Sequence, residues 1–147
     1  MKKVPFVLRI LSILAALILF SAPVGAGDFP DLVGNWTSKG LVVLSGPDYH
    51  HSYKPSKEIT YKNAAFTLMI VEQNGRGFYG KFHKKDNPSM VEHIIGVISF
   101  DNETLYMVDQ DGYLDGRLIS PTKMELVYRE TDLEGMVIGA YQLTKLP

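Results

Sequence analysis

Cysteine is absent from this chain of 147 residues, which excludes disulfides, thiolate metal ligands and a lipid-modified cysteine. Basic charge is not in surplus either: 15 Lys and Arg stand against 16 Asp and Glu, with four His. Three of the basic residues, Lys2, Lys3 and Arg9, lie in an N-terminal leader described below, so the rest of the chain is net acidic. No basic stripe is left to meet nucleic acid or an anionic membrane surface. Glycine-rich phosphate loops, a defensible Ser–His–Asp order and any cofactor motif are also missing. After the leader there is no sustained helical period.

The leader itself is well marked. Lys2 and Lys3 precede an apolar stretch from Val4 to Phe20, broken only by Arg9 and Ser12, and a small-residue segment follows from Ser21 to Gly27. This is the pattern of a secretory signal peptide, with Val24 and Ala26 at the −3 and −1 positions of a cut. The clean run from Ile10 to Phe20 is too short for a membrane-spanning helix, which needs about 20 apolar residues. Residues 1–26 are therefore expected to be a signal peptide and residues 27–147 one domain, exported to a periplasm or to the extracellular space.

From Leu32 the chain reads as short strand-like runs separated by turn residues. Strands are expected near 34–44, 64–73, 77–84, 91–99, 104–109, 113–119, 123–130 and 136–145, with a short extended piece from Glu58 to Tyr61. Asn74-Gly75 and Asp111-Gly112 read as type I′ hairpin turns, and Asp101-Asn102 and Ser120-Pro121 as further turns. Short connections force neighbouring strands to be antiparallel, so an all-β, up-and-down meander is expected.

Gly40, Gly80, Gly96, Gly116 and Gly139 fall inside these strands, where glycine marks the tight coiling that lets a sheet close. Alternate side chains share a face. Phe78 and Phe82 flank Gly80, Ile94 and Ile98 flank Gly96, Leu114 and Leu118 flank Gly116, and Val137 and Tyr141 flank Gly139. The opposite face is mixed, so the glycine face is the expected interior, joined by Met124, Leu126, Tyr128 and Leu143. About eight such strands make a β-barrel that side chains can fill or that can hold one small ligand. A two-sheet sandwich is the alternative.

The first strand opens with Gly34-Asn35-Trp36. A Gly-x-Trp at the start of a small exported meander resembles the calycin barrels, the lipocalins and avidins. The resemblance implies that Trp36 plugs one end of the barrel, with Arg129 or Arg117 packed over it. Trp36 is the only tryptophan, so the tryptophan ring with which avidins hold biotin cannot form. The chain is short for a lipocalin, and no second lipocalin motif is present.

The longest irregular segment, Ser45 to Lys57, contains Tyr49, His50, His51 and Tyr53. In calycin-like barrels this connection covers the open mouth, and aromatic bulk with polar tips suits a binding rim. Tyr128 and Tyr141 are the candidate polar groups of the interior. His83 and His93 bring the histidines to four, but their spacing does not impose convergence on a metal. Asp109, Asp111 and Asp115 lack the later ligands of a calcium loop. Glu72 and Asp109 could face inward near strand ends, yet no carboxylate pair is evident and no catalytic residue is assigned. On the outer face Ile95, Val97 and Ile138 are apolar where water would favour charge, which suggests an interface or a homo-oligomer.

These observations lead to an expected non-enzymatic binding protein, without cofactor or metal, holding a small apolar or amphipathic ligand. The alternative is an interaction protein with a filled barrel, acting through its outer apolar face on a protein partner.

Overall fold

Period-two alternation governs nearly every segment of the computed structural model, which describes residues 29–45, 59–85, 89–131 and 135–147. Residues 1–28, which include the expected signal peptide, and the 46–58 connection lie outside these residues. Nine strands follow in chain order: β1 (Gly34–Ser45), β2 (Ile59–Ala64), β3 (Phe66–Asn74), β4 (Gly77–Lys84), β5 (Val91–Ile98), β6 (Thr104–Val108), β7 (Tyr113–Ser120), β8 (Lys123–Thr131) and β9 (Met136–Lys145). All pairings are antiparallel. Sequential neighbours pair from β3 to β9, and β9 closes onto β1 from Trp36↔Lys145 to Ser45↔Met136. The result is a closed eight-strand up-and-down barrel with one extra strand, β2.

The extra strand arises from a change of partner. β1 pairs with β3 through Thr37 and with β2 from Gly40 onward, so β2 and β3 lie end to end beside it, separated by Ala65. At the break the ladder would lose a bond. The buried Ser38 supplies it, its hydroxyl oxygen accepting the Phe66 amide at 2.8 Å. A β-bulge between Ile70 and Glu72 further distorts β3.

The turns differ in part from the sequence expectation. The β3–β4 loop is Gly75-Arg76, with Asn74 still paired to Gly77. Only Gly75 has positive φ, +59°, which fits a type II′ turn in which glycine takes the first central position. Gly112 does not adopt positive φ either. Its turn is organised instead by Asp109, whose carboxylate accepts the amides of Asp111 at 3.0 Å and Gly112 at 2.6 Å. Asp101 acts alike in its turn, accepting the Glu103 and Thr104 amides, while Asn102 takes φ +62°.

The expected interior is the interior found. Phe78, Phe82, Ile94, Ile98, Leu114, Met124, Leu126 and Leu143 are buried, with Leu118, Tyr128 and Tyr141 packed against them. Several strand glycines sit directly opposite a large side chain: Gly40 opposite Tyr141, Gly96 opposite Phe78, Gly116 opposite Leu126, Gly139 opposite Tyr128. Cβ atoms at Gly96 and Gly116 would collide with Phe78 and Leu126, so the missing side chains are what let these large groups lie flat across the wall.

One end of the barrel is sealed. Residues 29–33 run across it, held by Gln73, whose amide oxygen accepts the Leu32 amide at 2.9 Å and whose nitrogen donates to the Pro30 carbonyl at 3.0 Å. Trp36 is fully buried there, and its indole N–H donates to the Leu32 carbonyl at 2.9 Å. The cation over the indole is Lys145, 5.6 Å from the ring centroid and directly paired with Trp36 across β1–β9. Neither arginine named from the resemblance takes that place. Odd positions on β7 and β8 face outward, so Arg117 bonds Glu103 at 3.0 Å and Arg129 pairs with Asp115 on the outer wall.

Candidate functional site

Among the described residues one end is closed, and the interior opens at the other, where β1, β4, β6 and β8 finish and β2, β5, β7 and β9 begin. A cavity of about 180 Å³ opens there. Its floor and walls are apolar: Val42 and Leu44 from β1, Phe66 from β3, Phe82 from β4, Leu114 from β7, Val137 and Tyr141 from β9. The aromatic rings pack edge to face, Phe66 lying 4.9 Å from Phe82 and 4.8 Å from Tyr141 between centroids. Such contacts hold the rings at fixed angles to one another in the cavity wall.

Charge is confined to the rim. Lys62 on β2, Lys84 on β4, Glu92 on β5, Asp109 after β6 and Glu130 on β8 all line the cavity. Lys84 lies 3.6 Å from Glu92, and the Tyr128 hydroxyl donates to Glu130 at 2.8 Å. The Tyr128 ring rests against the 109–112 turn where a Cβ on Gly112 would come within 2.6 Å of it, so a side chain there would push the ring off the wall. Burial, the bond to Glu130 and the charges of Asp109, Glu130 and Glu92 together raise Tyr128 well above its usual pKa of 10.0. Burial alone pushes Tyr141 up to about 12. Both phenols are therefore neutral hydrogen-bonding groups at ordinary pH.

Of the residues singled out in the sequence, Tyr128 and Tyr141 meet in this cavity. Tyr49, His50, His51 and Tyr53 fall outside the described residues, although the strand ends that flank their segment, Ser45 and Ile59, are paired at the same open end. His83 and His93 occupy the outer wall, where His93 Nδ1 lies 2.5 Å from the Tyr79 hydroxyl. Asp109 faces the mouth as expected. Glu72 does not: next to the β3 bulge it is exposed.

The rim charges Lys62, Lys84, Glu92 and Glu130 are not among the inward polar groups expected from the sequence, which are Tyr128, Tyr141, Glu72 and Asp109. The signal was present for all four. Lys84, Glu92 and Glu130 share parity with Phe82, Ile94 and Tyr128, and extending each inward row by one step reaches them. Lys62 shares the even parity of Leu68 and Phe66, a row that continues through Ala64 across the change of partner.

Ile95, Val97 and Ile138 are all exposed. They form two surfaces rather than one. Ile95 and Val97 pair with Val108 and Tyr106 across β5–β6, whereas Ile138 pairs with Val43 across β9–β1. Three strands separate β5 from β9 in the closed order, which carries the two patches to opposite sides of the barrel.

No family model matches the chain, and no curated protein matches it in sequence. Among solved structures it is similar to a redesigned β-barrel, at 12% identity and TM-score 0.46, over 79% of this chain and 92% of that one. It is also similar to an S-type phycobiliprotein lyase, CPES, from Guillardia theta, at 9% identity and TM-score 0.34, over 79% of this chain and 89% of that one.

Proposed function

We propose that this chain is an exported, non-catalytic binding protein of calycin type, holding a small amphipathic ligand in the open mouth of its barrel. The observation that carries the reading is the cavity of about 180 Å³, with aromatic and aliphatic walls and a charged rim. An apolar recess with a few convergent polar groups is the usual form of a small-molecule site. The volume is below the roughly 300–1,000 Å³ typical of drug-sized ligands, so the bound group is small. Trp36 buried at the sealed end supports the calycin assignment, and the pattern of residues 1–26 supports export. The rim lacks an assigned nucleophile, and its acidic groups serve as hydrogen-bond and charge partners of Tyr128 and Lys84.

Native mass spectrometry of protein purified without added ligand tests this reading. A bound small molecule, or displacement of a hydrophobic fluorescent probe, is expected. A homogeneous empty protein that also ignores such probes would sink it.

A second reading, in which the chain acts through its outer wall on a protein partner or another copy, draws on the adjacent Ile95, Val97, Tyr106 and Val108. Under it, Val97→Lys should alter sedimentation or abolish a pull-down. Ile138→Lys tests the opposite side of the barrel separately.

A further inference from the structure

We propose that the mouth selects a small organic ammonium ion whose apolar part is no bulkier than a single ring. This rests on the reading of the cavity as a ligand site. Size comes first: 180 Å³ accommodates about six waters' share of liquid volume, enough for one ring or a short alkyl chain. The walls come second. Phe66, Phe82, Tyr128 and Tyr141 present four π-systems to one small space, and an aromatic face attracts a cation.

Charge balance then decides the sign. The rim holds the carboxylates of Glu92, Asp109 and Glu130 against the ammonium groups of Lys62 and Lys84, and Lys84 is already engaged with Glu92 at 3.6 Å. The sheet order places the acids on the β5–β8 arc, around Tyr128, and the lysines on β2 and β4. Glu130, bonded to the Tyr128 hydroxyl at 2.8 Å, with Asp109 and Glu92 on the same arc, gives that side of the cavity a negative potential. An anion entering here would meet that potential in a partly desolvated site, where charges act at short range with little screening.

Calorimetric titration with benzylamine, benzyl alcohol and phenylacetate separates the possibilities, since the three share one ring and differ in charge. Benzylamine is expected to bind at least about tenfold more tightly than benzyl alcohol, with phenylacetate weakest. Glu130→Gln keeps an acceptor for Tyr128 but removes the charge, and should weaken benzylamine by about three- to tenfold while leaving benzyl alcohol within about twofold. Lys84→Met should act in the opposite direction and tighten benzylamine, an outcome that misfolding cannot imitate. Benzyl alcohol or phenylacetate binding as tightly as benzylamine overturns the charge selection and leaves the pocket reading standing. No binding by any of the three overturns the pocket reading as well.

Discussion

Gly40 sits where the strand that closes the barrel changes partners, and replacing it by alanine should damage the fold more than any exposed glycine would. Its backbone pairs with Tyr141 on one side and Ala64 on the other. A Cβ at this position would fall inside the contact distance of the Ala140 carbonyl oxygen and of the Tyr141 ring. A backbone oxygen cannot rotate away, so either β9 shifts outward or Tyr141 leaves its place. Overpacking of this kind costs about 1–3 kcal/mol. Alanine also restricts the unfolded chain, which returns about 0.4–1 kcal/mol. A net destabilisation of about 1–2 kcal/mol follows. Gly77→Ala is the matched control: the nearest atom to its new Cβ is the Asn74 carbonyl oxygen at 3.7 Å, an ordinary contact. Here the unfolded-state effect stands alone, and stability should hold or rise slightly.

Urea unfolding followed by the fluorescence of Trp36, fully buried and the sole tryptophan, measures both. With a slope of about 1–3 kcal/mol per M, Gly40→Ala should lower the midpoint by roughly 0.5–1 M. Gly77→Ala should hold it or raise it by up to about 0.5 M. Equal midpoints for the two variants would refute the steric account of the strand glycines. Because Tyr141 walls the mouth, Gly40→Ala should also weaken probe binding even where the protein remains folded.

Two further outcomes follow from the sealed end and from the mouth. Trp36→Phe keeps a ring in the core but strands the Leu32 carbonyl that the indole N–H satisfies at 2.9 Å, so a loss of about 1–3 kcal/mol is expected in urea unfolding monitored by circular dichroism. For the tyrosines the sign is set by neutral burial: Tyr141 is held at about 12 against an unfolded value of 10.0, and Tyr128 is shifted the same way. Their contribution is fully present below pH 10 and is lost as pH rises from there through about 12, as the unfolded chain ionises first. Tyr128→Phe with Tyr141→Phe should flatten the fall in stability over that interval, and an unchanged alkaline profile would contradict the burial of both phenols.

The strands and the inner face were legible in the chain because both depend on local rules. Alternation with a period of two needs no knowledge of partners, and Phe82, Ile94, Leu114 and Leu126 follow it to the core. Gly96 and Gly116 marked the inward rows for the same reason, and Trp36 stood at the head of the strand that it anchors. What tertiary structure alone decided involves contacts between distant segments. The partner change of β1 at Ser38 sets β2 and β3 end to end beside it. Closure of β9 onto β1 brings Lys145, not an arginine, over Trp36, and places Ile138 on the side away from Val97. The charged rim is the combined case. Parity assigns Glu92, Glu130 and Lys84 to the inner face, but whether such a residue is an error in a core or part of a mouth depends on which end of the barrel is sealed. Gln73, Leu32 and Trp36 seal the far end, and so the charges at the near end remain within reach of water and of a ligand.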